Sequence, residues 1–248
     1  MPPVDPDSNR RCLDAIAALL RDRPGFHGSG GEAHWDVTEG MLHAIRQHAD
    51  PTTRSLETGC GASTVLFAAA GGQHTVVTPD PEEYQRAREY CDRIGVDAGR
   101  VRLAHGSSDV VLPALERSAL DLVLIDGAHS FPFPVVDFHY LSQRLEVGGV
   151  LLLDDAFIPS VGVLNRFLVA ASEWELLGRL DDQATVHRLV ERPAPYDYWR
   201  LQGINKAFPD YAFLPIARRA RLWARHRASS LVHRAIHRLR VRAGRGGE

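Results

Sequence analysis

The feature that most constrains this chain is an alternation of short apolar runs with helix-length segments. The runs are Arg54–Thr58, His74–Thr78, Val101–Ala104, Asp121–Ile125 and Gly149–Leu153, each ending on polar or glycine residues. Between them lie Ser63–Ala70, Pro81–Ile94, Ser108–Arg117 and Pro134–Leu145. Leu122-Val-Leu-Ile125 and Val150-Leu-Leu-Leu153 are apolar at every position, the pattern of strands covered on both faces. Repeated strand-then-helix units imply a parallel sheet with right-handed crossovers. A further helix near Val161–Ala171 precedes Trp174–Leu180 and Ala184–Val190, which flank Asp181-Asp182-Gln183 and read as an antiparallel hairpin. The expected fold is α/β: a Rossmann-like, doubly wound, mostly parallel seven-stranded sheet with an antiparallel C-terminal hairpin.

Two helices precede the alternation, one capped by Asp7-Ser8 and ending before Pro24, the other from about Asp36 to His48, with a glycine-rich loop over 25–34. The expected organisation is a helical N-terminal cap (1–50), the sheet domain (51–191) and a C-terminal extension (192–248). There is no internal repeat. An apolar share of 44% with 24% charged residues excludes collagen-like and wholly disordered chains. Cys12, Cys60 and Cys91 are too few and too scattered for a disulfide framework or a zinc knuckle, and no leader or membrane-length apolar run is visible, so the expectation is cytosolic.

The net charge of −2 hides a polarity. Residues 217–248 hold ten arginines against Glu248 alone, a balance of +9, leaving −11 on the rest. An acidic body argues against a nucleic-acid-binding core or a polyanionic substrate. Ile216, Ala220, Trp223, Val232, Ile236 and Leu239 sit at helical spacing in the tail. Two readings stay open: a cationic amphipathic helix that lies on a membrane, RNA or a partner subunit, and a solvated arginine-rich helix.

Open sheets of this kind bind ligands at the carboxyl ends of their strands. The first strand ends in Glu57-Thr-Gly59-Cys60-Gly61-Ala-Ser63, whose glycines admit a close backbone approach. Glu57 would repel a pyrophosphate but suits an ammonium, and Thr64 replaces the third glycine of a dinucleotide fingerprint, so NAD and FAD are disfavoured. Asp80 ends the second run, where it can accept ribose hydroxyls or cap the next helix. Ser107 and Ser108 follow the third run and suit an adenine edge or a plain N-cap.

Glu57-x-Gly59-x-Gly61-x-Ser63, Asp80, Gly106-Ser107-Ser108 and Leu124-Ile125-Asp126-Gly127 together resemble the successive motifs of class I S-adenosylmethionine-dependent methyltransferases, over residues from about 36 to 191. Asp126-Gly-Ala-His129-Ser130, Gly148-Gly149 and Asp154-Asp155 resemble the macrocin-O-methyltransferase and catechol-O-methyltransferase-like groups within it. Ser63 in place of a third glycine and Pro79 before Asp80 are departures, though neither removes a ligand group. The resemblance implies S-adenosylmethionine held by Glu57, Gly59, Cys60, Gly61, Ser63, Asp80, Ser107, Ser108 and Asp126.

Asp126, Asp154 and Asp155 would converge if their strands are neighbours, with no lysine or arginine nearby in sequence to neutralise them. Oxygen-only ligation then suits Mg²⁺ or another divalent cation, and in the resembled enzymes an acid after strand four and an acid pair after strand five bind that metal. His129 stands where those enzymes carry a general base, and an imidazole with a pKa near ~6.5 can take a hydroxyl proton near neutrality. Against these stand simpler roles: Asp126 orienting the acceptor without metal, Asp154-Asp155 capping a helix, and His129 as one of twelve histidines. The acceptor pocket would draw on His34, Trp35, Phe131–Pro134, Phe157–Pro159, Tyr196, Tyr198 and Trp199.

The expected function is metal-assisted O-methylation of a small hydroxylated molecule. The alternatives are a metal-independent N- or C-methyltransferase and a non-catalytic S-adenosylmethionine-binding protein that recruits a partner through its tail. Assembly into a homo-oligomer stays open.

Overall fold

The structure, a computed structural model, describes residues 5–28, 37–192, 202–206, 216, 218, 219 and 222. Residues 1–194 and 195–248 form two compact units. In the second, the described part comprises a short 3₁₀ turn over Gly203–Lys206 and isolated helical residues; most of the arginine-rich tail lies outside the described residues.

The first unit begins with α1 (Pro6–Asp22) and α2 (Glu39–His48) and continues β1 (Arg54–Thr58), α3 (Ala62–Ala70), β2 (Gln73–Thr78), α4 (Pro81–Ile94), β3 (Val101–His105), α5 (Ser108–Ala114), β4 (Leu120–Ile125), α6 (Phe133–Ser142), β5 (Leu145–Leu153), α7 (Pro159–Ala170), β6 (Trp174–Leu180) and β7 (Ala184–Leu189). The seven strands form one sheet in the order β3-β2-β1-β4-β5-β7-β6. The first five strands run parallel, whereas β7 is antiparallel to β5 and β6 to β7. The expected fold class is therefore the observed one.

The all-apolar strand runs are explained by the pleat, which sends alternate residues to opposite faces. Leu122, Leu124, Val150 and Leu152 join the core under α1–α4, while Val123, Ile125, Leu151 and Leu153 join the core under α5–α7. Burying one such leucine contributes about 2–3 kcal/mol, so both faces are strongly driven to be covered.

Several boundaries differ from expectation. Helix α1 is capped by Asp5, whose carboxylate accepts Ser8 N–H at 2.8 Å, with Pro6 at its start. Thr38 caps α2, and Asp36 lies outside the described residues. Helix α5 stops at Ala114 and not Arg117, because the chain turns extended at Leu115 and Arg144 takes the carbonyls of Leu112 and Leu115 at 2.7 and 2.9 Å. Helix α6 stops at Ser142, leaving Leu145 to begin β5 opposite Leu120.

Candidate active site

The order of the sheet reverses between β1 and β4, the point at which such sheets bind ligands. Thr58 pairs with Ile125, and Ile125 with Leu153. The next residues of these strands, Gly59, Asp126 and Asp154, therefore stand in one row along the carboxyl edge. Gly59 has φ +96°, and a Cβ there would come within 2.3 Å of the Asp126 carbonyl oxygen. Glycine is thus required both by conformation and by the closeness of two strand ends.

Glu57 faces α3 and has no exposed surface. Its Oε2 accepts Ser63 Oγ–H at 2.6 Å, and its Oε1 accepts Thr64 Oγ1–H at 2.5 Å and His74 Nε2–H at 3.1 Å. Ser55 contacts the other ring nitrogen of His74 at 2.8 Å, and the imidazole stacks on Phe67 with centroids 4.0 Å apart. This buried relay pins the β1–α3 loop from below, while Gly61 N–H donates to Thr64 Oγ1 at 3.0 Å. Sequence reasoning missed His74. Its partnership with Ser55 and Glu57 depends on the register that sets Ser55 against His74 and on the pleat that turns all three toward α3. Cys60 is buried, and burial together with the charge of Glu57 pushes its thiol pKa well up, so it is no nucleophile.

Asp80 is half-exposed and caps α4, its Oδ1 accepting Glu82 N–H at 2.8 Å, with Arg86 3.7 Å from its other oxygen. Ser107 precedes α5 and donates to Asp109, while Ser108 is buried. Beside Ser108 and Thr58 lies Asp137 of α6, fully buried; burial raises its carboxyl pKa and the two hydroxyls pull it back. No motif marked Asp137. A cavity of about 500 Å³ lies next to Ala62 at the start of α3, lined by Leu19, Phe26, Val37 and Leu42 among others.

At the centre, His129 Nε2 stands 3.2 Å from Asp155 Oδ2 and 3.6 Å from Asp126 Oδ1. Burial pushes the Asp126 carboxyl up to about 7, helped by the charges of Asp154 and Glu57 and opposed by His129. Asp154 is pushed up to about 6, again chiefly by burial. His129 is raised above an ordinary imidazole because the Asp126 carboxyl beside it favours the protonated ring. Asp155 sits at φ +49°, a conformation rarely held by a non-glycine residue and one that clusters at functional sites. The β6–β7 turn supports it from behind: Gln183 O accepts Ala156 N–H at 2.7 Å, and Asp181 Oδ2 accepts Gly40 N–H at 2.9 Å.

Asp126, His129 and Asp155 each offer a ligand atom within 4.8 Å of the others. Asp154 lies close enough to raise Asp126, but it spends one oxygen on Asp155 N–H at 2.9 Å. The donor set fits a divalent cation: carboxylates crowded together and pushed upward in pKa by burial and by one another, with one imidazole between two of them. The trio that the geometry gathers contains His129 in place of Asp154. His34, Trp35, Tyr196, Tyr198 and Trp199 lie outside the described residues, whereas Phe131 and Phe157 are exposed beside the carboxylates in sequence.

Residues 56–156 match the family described as "Methyltransferase domain". Curated relatives of the chain include the "Transmembrane O-methyltransferase" of Homo sapiens and of Pan troglodytes, each 31% identical over 137 residues, or 52% of this chain and 45% of the relative. The chain thus spans about half the length of the curated relatives it matches. Among solved structures, cofactor-bound Rv0187 from MTB superposes with a TM-score of 0.55 at 19% identity, covering 74% of this chain and 91% of that one. The O-methyltransferase TomG from Streptomyces achromogenes, involved in tomaymycin synthesis and solved with SAM, gives 0.53 at 19%, covering 76% and 92%. These likenesses show the fold of this chain. Among its described residues no helix is long and apolar enough to cross a membrane.

Proposed function

We propose that this protein transfers a methyl group from S-adenosylmethionine to an oxygen of a small hydroxylated acceptor. The observation that carries the reading is the row at the carboxyl edge: a glycine loop held by Glu57, beside a carboxylate cluster with one imidazole at its centre. The cofactor's amino-acid end would lie at Gly59–Ser63, its ribose at Asp80 and its adenine near Ser107 and Ser108. With both oxygens engaged and no exposed surface, Glu57 serves the cofactor by holding the loop and through its charge; touching the ammonium directly would require Ser63 or Thr64 to give way.

In the reaction, His129 Nε2 takes the acceptor's hydroxyl proton while the oxygen lone pair attacks the sulfonium methyl. The sulfur–carbon bond breaks with its electrons going to sulfur, leaving S-adenosylhomocysteine. Asp126 orients the imidazole and the acceptor, and the fold's main contribution is to hold the two reacting atoms in line. Asp126 and Asp155, with Asp154 beside them, would hold a divalent cation. Such an ion, when bound, supplies Lewis acidity toward the acceptor oxygen. Because Asp126 and Asp155 both pull on Nε2 and raise its proton affinity, anything that occupies those carboxylates frees His129 to act as base near neutrality. The buried free thiols of Cys12, Cys60 and Cys91 suit a cytosolic setting.

Isothermal titration with S-adenosylhomocysteine tests the cofactor, and a methyl-transfer assay over a panel of hydroxylated metabolites, with and without EDTA, tests the rest. Absence of binding heat overturns the reading. Turnover untouched by EDTA removes the metal and leaves a metal-independent transferase, and a fully active His129→Ala variant removes the base.

A further inference from the structure

The segment after α1 reaches across the site from outside the sheet. Phe26 is buried and meets Tyr90 of α4 edge-on, with ring centroids 5.9 Å apart. Its carbonyl accepts Arg86 Nε–H at 2.6 Å, and His27 Nδ1–H donates to Glu83 Oε1 at 2.8 Å. Glu83, Arg86 and Tyr90 are spaced three and four residues apart, so a single face of α4 holds the arm at three points. The arm lies against one of the loops assigned above to the cofactor, and its anchors on α4 hold the other. On one side, a Cβ on Gly61 would sit 3.3 Å from His27 Nε2 and 3.9 Å from the Phe26 ring. On the other, Glu83 Oε2 accepts Thr78 Oγ1–H at 3.0 Å, and Arg86 reaches Asp80 at 3.7 Å.

We propose that His27 is a positioning residue for the cofactor: its hydrogen bond to the Glu83 carboxylate straps the Phe26–Gly28 arm over the seam between the β1–α3 and β2–α4 loops and sets how fast the cofactor leaves. The pair is suited to this. Both side chains are mostly shielded, at 14% and 16% exposure, so the bond is stronger than a surface ion pair. It ties the arm to the end of β2, two residues before Asp80, where the ribose would be held. Gly61 provides room for the ring, since any side chain there would press on His27.

The inference rests on the proposed binding of S-adenosylmethionine, and the experiment separates the two. The full chain and its His27→Gln, His27→Asn and Glu83→Gln variants are titrated with S-adenosylhomocysteine, and dissociation rates are taken by stopped-flow competition. Losing a shielded, charge-assisted bond predicts about tenfold faster dissociation, or ~1.4 kcal/mol, in His27→Gln and Glu83→Gln. Asparagine places its amide nitrogen where Nδ1 stands, so His27→Asn keeps the bond to Glu83 and stays within about threefold of the parent. The ligand-free protein loses the same bond, so the melting temperature of the Gln variants falls slightly; a fall with unchanged dissociation would mark a merely structural role. Unchanged dissociation in both Gln variants, or an Asn variant as fast as His27→Gln, overturns the strap. A parent chain that does not bind S-adenosylhomocysteine overturns the methyl-transfer reading itself, and the strap with it.

Discussion

Replacing Asp126 by Asn removes a titrating carboxyl from the centre of the site with little change of shape. In the folded chain Asp126 is pushed up to about 7 and Asp154 to about 6, against ~3.9 for an unfolded aspartate. Between these values the folded state binds more protons than the unfolded one, so stability falls as pH rises through about 4 to 7. His129 acts in the same direction: raised by Asp126, it contributes stability below ~6.5 that is lost as pH climbs past its folded value. The rise of Asp126 alone corresponds to ~4 kcal/mol at high pH. Its side chain keeps 21% of its exposure, and the three groups exchange protons as one cluster, which brings the net figure to ~2 kcal/mol. For a domain of this size that is ~4–8 °C in melting temperature. Calorimetry of both proteins, free of divalent ions, at about pH 5.5 and about pH 8 reads the effect. Asp126→Asn should match the parent at the acid end, where the Asp126 carboxyl already holds its proton, and melt higher at the alkaline end. Added Mg²⁺ should narrow the alkaline gap by stabilising the parent. Parallel melting curves across the range, or a variant less stable at the alkaline end, would refute the buried-carboxylate argument.

Gly59→Ala forces a Cβ into the Asp126 carbonyl at positive φ; it should cost at least ~2 kcal/mol in urea denaturation and weaken S-adenosylhomocysteine binding more than tenfold. His74→Phe preserves the stack on Phe67 but deprives Glu57 of one donor and strands Ser55, so the unfolding free energy from urea denaturation should fall by ~1–3 kcal/mol, with His74→Gln losing less. Leu124→Ala, at a fully buried position between the sheet and the helices, should cost ~3–5 kcal/mol without altering the pH dependence of melting.

The seven strands were legible because short apolar runs recur between helix-length stretches, a property of the local sequence. The motif residues were legible for a related reason: each stands at the end of a strand, and strand ends in a parallel sheet face one way. Boundaries that depended on a distant partner were misplaced, as with α5, whose end is fixed by Arg144, some thirty residues further on. His74 gave no local signal, since a histidine opening a strand reads as an exposed edge residue until the register sets it against Ser55 and turns it toward Glu57.

The sequence by itself determined the layered α/β architecture and the identity of the groups along one edge of the sheet, because hydrophobic periodicity and strand polarity are written in neighbouring residues. Only the tertiary structure decided how those groups are used. It enclosed Glu57 among three donors, set His129 between Asp126 and Asp155 while Asp154 turned one oxygen to its own backbone, and brought the Phe26–His27 arm onto α4. Burial and electrostatic coupling arise from side chains that meet across the fold, and no local pattern encodes which ones will meet.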